Sequence, residues 1–120
     1  TDTLTGLANR RAFMERLEPE CARQASGGPG GMVLMLDLDH FKRVNDTWGH
    51  ATGDVVLVHQ ARMLKGNLLR SHDLAGRLGG EEFAVLLPGT TAQEATAIGE
   101  RLRHALEAEG GYGGPLLHAA

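Results

Sequence analysis

Five consecutive apolar residues, Met32–Leu36, constrain the fold of this chain more than any other feature of its sequence. A short apolar run without polar alternation is typical of a strand that is buried in a sheet. The run passes directly into Asp37-Leu38-Asp39. Residues two apart on a strand share a face, so both carboxylates are expected to point the same way. The sequence therefore predicts a buried strand that ends in acidic side chains.

The segments around this strand predict helices and a hairpin. Asn9–Gln24 has helical spacing of its apolar residues, with Asn9 as the N-cap, and Pro19 is expected to kink or shorten this helix. Asp54–Leu69 is amphipathic, which predicts a second helix. Two short apolar runs, Asp73–Leu78 and Phe83–Leu87, flank a Gly-Gly pair, and this arrangement is typical of a β-hairpin.

The remaining segments complete the predicted order of elements. Thr90 or Thr91 is suited to cap a helix whose buried stripe includes Ala95 and Leu102. The rest of the chain is expected to form an extended lead-in at Thr1–Ala8, a polar, turn-rich stretch at His40–Gly53 and the start of another strand in Pro115–Ala120. This mixture predicts a layered α/β fold in which helices pack on a central sheet.

Composition limits the kind of protein this is. The 120 residues are enough for one domain, and the net charge of −3 with no long basic run argues against a nucleic-acid polymer or an acidic membrane as partner. Cys21 is the only cysteine, which excludes an internal disulfide and a cysteine metal cage. We expect it to be buried as a small apolar residue. No apolar run approaches the roughly 18 residues of a membrane span.

Four carboxylates occupy positions at which they are not expected to stabilise the fold. Asp37 and Asp39 end the apolar strand, and Glu81 and Glu82 follow the Gly-Gly pair of the hairpin. Carboxylates held close together repel unless a cation or a proton lies between them. If the first strand and the hairpin are neighbours in the sheet, Asp37 and Glu81 could share a Mg²⁺ site that substrate phosphates complete. The alternative is a solvated strand end and a solvated turn.

Four motifs occur in order along the chain and resemble those of one family. They are Thr1-Asp2-Thr3-Leu4-Thr5-Gly6-Leu7-Ala8-Asn9-Arg10-Arg11, Asp37-Leu38-Asp39-His40-Phe41-Lys42-Arg43-Val44-Asn45-Asp46, Gly49-His50-Ala51-Thr52-Gly53-Asp54 and Gly79-Gly80-Glu81-Glu82-Phe83. The last resembles the signature of the GGDEF family, the bacterial diguanylate cyclases, in its Glu variant. The resemblance extends from about Thr1 to about Glu109.

The resemblance implies a fold and a reaction. The fold would be the palm-like nucleotidyl cyclase fold, a mostly antiparallel sheet flanked by helices, in a single domain at 1–120 with a lead-in (1–8), a core (9–109) and a Gly-rich end (110–120). The family domain normally continues with a further strand and a basic helix, so we expect this one to be incomplete at its C-terminal end. The reaction would join two GTP into cyclic di-GMP and release two pyrophosphates, with Mg²⁺, or Mn²⁺ in its place.

The resemblance also assigns metal ligands and catalytic residues. Asp37 would bind Mg²⁺ through its carboxylate and Leu38 through its backbone carbonyl. Glu81 would be the second carboxylate ligand and the general base, and Glu82 would also lie at the metal. Lys42 would stabilise the phosphates as a point charge.

Further residues would bind the substrate. By the same resemblance, backbone amides near Phe41 and Lys42, at a helix start, would hold phosphate oxygens. Asn45 and Asp54 would recognise guanine, because a carboxylate accepts two parallel bonds from the N1–H and N2–H₂ edge that adenine lacks. The structural alternatives are an Asx turn for Asn45 and a helix N-cap for Asp54. Trp48 is expected to pack the loop beside the nucleotide.

A second nucleotide site is suggested by Arg70-Ser71-His72-Asp73. Arg70 and Asp73 match the Arg-x-x-Asp motif through which the family binds its product as an inhibitor, and Arg101 lies where the family often supplies another arginine. The alternative for these residues is an ordinary surface ion pair.

The family resemblance further implies partners and a location. The active species would be a homodimer in which each protomer holds one GTP, and an upstream sensor or receiver domain would regulate it. We expect a cytoplasmic location, although the parent protein could be anchored in a membrane. The alternative function is a catalytically inactive module that senses GTP or cyclic di-GMP.

Overall fold

The computed structural model of the chain describes residues 1–28, 30–38, 41–67, 72–110 and 115–119, and of residues 38, 41–44, 106–110 and 115–119 it describes the backbone alone. Eight helices and strands follow one another in this part of the chain. They are α1 (Arg10–Ala25), β1 (Gly31–Leu38), α2 (Phe41–Trp48), α3 (His50–Asn67), β2 (Leu74–Arg77), β3 (Glu82–Pro88), α4 (Ala92–Gly110) and β4 (Pro115–Ala119).

The strands form one four-stranded antiparallel sheet in the order β2-β3-β1-β4. The apolar run is the middle of β1, and β1 is a central strand with β3 on one side and β4 on the other. The predicted hairpin is the β2–β3 pair, and the predicted final strand is β4. The layered α/β fold predicted from the order of elements is therefore confirmed.

Helices cover both faces of the sheet. On one face, side chains of β1 and β3 join side chains of α3 and α4 in the larger cluster, in which Leu36, Leu57 and Leu102 are buried. On the other face, Phe13 of α1 packs with Ala84 and Leu86 of β3. Among the described residues, no helix has the length and apolarity needed to cross a membrane.

The N-terminal segment is not a simple extended lead-in. Its backbone closes a turn through bonds from the Asp2 N–H to the Leu7 carbonyl (2.7 Å) and from the Gly6 N–H to the Asp2 carbonyl (2.8 Å). Leu7 is then buried in the larger cluster, and Ala8 forms a parallel bridge with Gly76. The segment therefore pairs with the free edge of β2 instead of lying loosely over the surface.

The prediction of a turn-rich stretch over His40–Gly53 is wrong. Within its described part, the stretch contains α2 and the start of α3, separated only by Gly49. Gly49 has φ +90°, a conformation that suits glycine, and its N–H bonds to the Asn45 carbonyl at 2.8 Å. One left-handed residue is enough to end one helix and begin the next, which a polar composition does not indicate.

Two expectations about α1 are also corrected, and two predicted helix caps are confirmed, one at α1 and one at α4. Pro19 does not shorten the helix, which continues to Ala25, and Cys21 is exposed instead of buried. Asn9 caps this helix by accepting the Ala12 N–H at 2.8 Å. Thr91 caps α4 in a reciprocal pair of hydrogen bonds with Glu94.

Candidate functional site

The carboxylates of β1 and of the hairpin meet at one end of the sheet. In the β1–β3 ladder Asp37 lies directly opposite Glu82, one pair beyond Leu36 and Phe83. Leu36 and Phe83 are buried, whereas Asp37 and Glu82 are exposed. Directly opposite residues of an antiparallel pair have Cβ atoms about 4.5–5.5 Å apart. The condition for a shared site, that the first strand and the hairpin are neighbours, is thus fulfilled.

Glu81 lies in the turn between β2 and β3, directly before Glu82. It is half-buried and directly precedes β3, and the bond from the Leu78 N–H to the Glu82 carbonyl (2.8 Å) closes the hairpin. A Cβ atom added to Gly79 or Gly80 would meet no described atom within 4 Å, and neither glycine has a positive φ. Among the described residues, nothing requires glycine at either position. Glycine does leave the backbone open to close approach by a ligand.

The donor set fits a hard cation. Asp37, Glu81 and Glu82 supply only carboxylate oxygens, and within the described part of the chain none of them is paired with a cationic side chain. That part contains no cluster of three or more His, Cys, Asp or Glu side chains able to hold a metal by themselves. Asp39 lies outside the described residues. One or two carboxylates with open coordination positions are what Mg²⁺ uses when phosphates complete its shell.

The residues predicted to hold phosphate begin α2. The backbone places Leu38 at the last position of β1 and Phe41 and Lys42 in the first turn of α2, as expected for amides at a helix start. The side chains of these three residues lie outside the described part of the structure.

Asn45 and Asp54 come from two consecutive helices. Asn45 is in α2 and Asp54 is an exposed residue in the interior of α3, so the alternatives of an Asx turn and an N-cap are both wrong. The Oδ1 atom of Asn45 is buried and has no hydrogen-bond partner among the described residues. A buried acceptor without a partner is costly, and a ligand donor would satisfy it. Trp48 is 68% exposed and does not pack the loop as predicted.

Asp54 lines a cavity of about 400 Å³ that the sequence did not reveal. The signal for it was present, because Val55 and Val58 are apolar residues off the buried stripe of the amphipathic helix, and Val55 is 66% exposed. The Nε2 atom of His59 is buried without a partner among the described residues. The cavity is lined by Leu4, Asp54, Val55, Val58, His59 and Arg62.

The predicted inhibitory site is only partly described. Asp73 is half-buried before β2 and lines a cavity of about 270 Å³ together with Lys65. The Arg101 guanidinium donates to the Asn67 carbonyl at 2.7 Å, which attaches α4 to the C-terminal end of α3. Arg70 lies outside the described residues.

An ion pair missed at the sequence level joins the N-terminal turn to the hairpin. Arg77 Nη1 lies 3.2 Å from Asp2 Oδ1, and Asp2 also accepts hydrogen bonds from the backbone and hydroxyl of Thr5. Burial raises the pKa of Asp2, but the Thr5 hydrogen bonds and the Arg77 charge outweigh it and lower the pKa overall.

Several known proteins are similar to this chain in sequence. The family model described as "Diguanylate cyclase, GGDEF domain" matches residues 1–110. The chain is 49% identical over 111 residues to the diguanylate cyclase DgcP of Pseudomonas aeruginosa and 46% identical over 103 residues to the response regulator PleD of Caulobacter vibrioides. These matches cover 90% and 86% of the chain but 16% and 22% of the two relatives, so the chain spans about a fifth of their length.

Two solved structures that share the fold are also similar to the chain in sequence. The GGDEF domain of DgcB from Caulobacter crescentus, in complex with c-di-GMP, has a TM-score of 0.85 at 36% identity, over 99% of this chain and 72% of that one. Diguanylate cyclase SiaD of Pseudomonas aeruginosa, in complex with its activator SiaC, has a TM-score of 0.83 at 46% identity, over 99% of this chain and 46% of that one.

Proposed function

The chain belongs to the GGDEF family of diguanylate cyclase domains, and from this we propose that it condenses two GTP into cyclic di-GMP and two pyrophosphates. The observation that carries the proposal is the register of β1 and β3, which sets Asp37 opposite Glu82, the residue that follows Glu81. Carboxylates gathered at an open strand end, next to an exposed glycine turn, suit the handling of a metal-bound triphosphate.

The metal site would be formed by Asp37, the Leu38 carbonyl, Glu81 and Glu82. Bound there, Mg²⁺ would neutralise phosphate charge and favour ionisation of the attacking hydroxyl. The binding of a cation also relieves the repulsion between Asp37 and Glu82.

The chemical step is a displacement at phosphorus. Glu81 accepts the proton of a ribose 3′-hydroxyl as general base, and the oxygen forms a bond to the α-phosphorus of the second GTP. The bond from that phosphorus to the bridging oxygen breaks, and pyrophosphate leaves with the electron pair. Lys42 and the amides at the start of α2 hold the phosphate oxygens during this step.

Guanine would be recognised by the two helices that follow β1. The Asp54 carboxylate accepts from the N1–H and N2–H₂ groups of the base, and the unpartnered Oδ1 of Asn45 accepts from an amino group. Adenine does not offer that pair of donors, so it would leave these acceptors unsatisfied.

The assembly and its regulation belong to the same proposal. Each protomer would bind one GTP, so two protomers must face each other in a homodimer for the bonds to form. Product would bind at Arg70, Asp73 and Arg101 and inhibit. An upstream regulatory domain would control pairing, which is supported by a relative named as a response regulator. The reaction would take place in the cytoplasm.

Incubation of the chain with GTP and Mg²⁺, followed by chromatography, tests the activity. We expect cyclic di-GMP from the unchanged chain and none from Glu81→Gln, because the amide is a poor base and a weaker metal ligand. The matched control is Glu18→Gln, which neutralises an exposed carboxylate of α1 and should retain full turnover.

The outcomes separate the two candidate functions. Normal turnover by a folded Glu81→Gln variant would contradict the role of Glu81. Absence of product from the unchanged chain, combined with binding of GTP or cyclic di-GMP in a titration, would favour the sensor function instead.

A further inference from the structure

The turn that carries Glu81 and Glu82 has few contacts of its own. Gly79 and Gly80 are exposed, and a side chain at either would touch no described atom. One backbone bond, from the Leu78 N–H to the Glu82 carbonyl, closes the hairpin ladder. Glycines also have the greatest backbone freedom of any residue. Carboxylates on such a turn need an additional anchor if they are to keep a fixed position.

Arg77, the last residue of β2, supplies an anchor. Its Nε and Nη2 atoms both donate to the carbonyl oxygen of Gly80, at 3.1 and 3.0 Å. That carbonyl belongs to the same planar peptide group as the amide nitrogen of Glu81. Holding the oxygen with two donors therefore fixes the plane from which the chain continues into Glu81.

The opposite edge of the guanidinium is held by the N-terminal turn. Nη1 of Arg77 donates to both carboxylate oxygens of Asp2, at 3.2 and 3.3 Å. Asp2 is itself fixed by Thr5, whose N–H and hydroxyl bond to Oδ2 at 2.8 and 2.7 Å. The Arg77 and Asp2 side chains are only 18% and 21% exposed. The guanidinium thus spans from residue 2 to the carboxylate turn.

The main chain makes the same connection. The N–H of Arg77 bonds to the Ala8 carbonyl at 2.9 Å, and the Ala8 N–H bonds to the Ala75 carbonyl at 3.3 Å. The N-terminal segment therefore contacts β2 through its backbone and the hairpin turn through Asp2. A displacement of this segment would be transmitted to Gly80 through Arg77.

We propose that Arg77 is a positioning residue that holds the Glu81–Glu82 turn in its catalytic geometry, and that Asp2 makes this geometry depend on the N-terminal turn. The inference rests on the proposed function and deepens it. Arginine suits the role because its planar fork donates to two partners on different edges, which the single ammonium of lysine does not reproduce.

The test compares Arg77→Gln, Arg77→Lys and Asp2→Asn with Arg11→Gln, which removes a guanidinium from the exposed face of α1. For Arg77→Gln we expect kcat to fall about 10-fold to 100-fold, since displacement by about 1 Å is enough for such losses. KM for GTP should stay within about 2-fold of the unchanged chain, because Asn45 and Asp54 lie on other elements. Arg77→Lys and Asp2→Asn should show smaller losses of kcat, and Arg11→Gln none.

A second readout keeps the inference separate from the activity. Mn²⁺ alone is titrated into each variant and followed by electron paramagnetic resonance, with folding checked by circular dichroism. We expect weaker Mn²⁺ binding in Arg77→Gln than in Arg11→Gln. If Arg77→Gln does not fold, the same comparison is made with Asp2→Asn.

The outcomes are distinguishable. If the unchanged chain makes no product but Arg77→Gln still weakens Mn²⁺ binding, the proposed function fails and the positioning role stands. Unchanged kcat and Mn²⁺ affinity in folded Arg77→Gln, or no Mn²⁺ binding by the unchanged chain, would overturn the positioning role.

Discussion

Asp37 and Glu82 form a pair that is expected to lower the stability of the fold. Like charges placed directly opposite each other in an antiparallel ladder are destabilising, and within the described residues no cation relieves this pair. A fold selected for stability alone would place an apolar or oppositely charged pair at this register. The unfavourable pair supports the proposal that a cation binds here.

The substitution Asp37→Asn should stabilise the protein and inactivate it. Removal of one charge is expected to raise the free energy of unfolding by up to about 1 kcal/mol in metal-free buffer. Cyclic di-GMP formation should be lost, because a carboxylate ligand is missing. Urea unfolding and a turnover assay measure the two effects, with Glu18→Gln as control. A loss of stability in metal-free buffer would contradict the repulsion.

Asp2 makes stability depend on pH in the acid range. Its pKa is lowered in the folded chain, so the unfolded chain binds protons more readily as pH falls below the ordinary value of 3.8. This contribution to stability is fully present above that pH and is lost as pH falls through the lower folded pKa. In Asp2→Asn the decline of unfolding free energy between about pH 5 and pH 2 should be shallower. Urea unfolding across that range measures it, and a slope equal to that of the unchanged chain would contradict the assignment.

At the scale of elements, the contact between α1 and β2 determines how closely that helix lies on the sheet. A Cβ atom at Gly76 would come within 2.8 Å of Phe13 Cδ2, so glycine allows the ring to lie against the strand. Phe13 is 1% exposed and has little room to yield.

Gly76→Ala should therefore lower the free energy of unfolding by about 1–3 kcal/mol, the usual cost of overpacking. The matched control is Gly66→Ala in α3, where a Cβ would meet no described atom within 4 Å and alanine should be neutral or stabilising. Thermal and urea unfolding measure both variants. Equal stability of the two variants would show that Phe13 moves aside without cost.

The α2–α3 pair shows why the residues proposed to bind guanine were difficult to place from sequence. Asn45 and Asp54 are nine positions apart, and only the positive φ of Gly49 puts them on two helices. A polar composition indicated turns, yet the backbone is helical on both sides of Gly49. The break between the helices depends on a single residue. A prediction from the composition of the whole stretch does not detect the effect of one residue.

At the scale of the whole molecule, the proposed reaction needs two copies of the chain. In the proposed reaction each copy binds one GTP, but the product contains two nucleotides joined by two bonds. The rate per milligram of protein should rise with protein concentration and level off as the dimer saturates. Turnover assays across a dilution series, with gel filtration at the same concentrations, measure this. Constant specific activity from a chain that remains monomeric throughout would contradict the homodimer.

The sequence by itself determined the class of fold, the hairpin, the helix cap at Asn9, a cap at Thr90 or Thr91 and the family. These depend on local patterns, namely the apolar run, the Gly-Gly pair and hydrogen bonds within a few residues, or on motifs in a fixed order. Only the tertiary structure decided the register that sets Asp37 against Glu82, the exposure of Cys21, the cavity beside Asp54 and the link from Asp2 through Arg77 to Gly80. Each of these features joins residues far apart in the chain or depends on which helix face meets the sheet. The contacts that stabilise them exist only once the elements have packed.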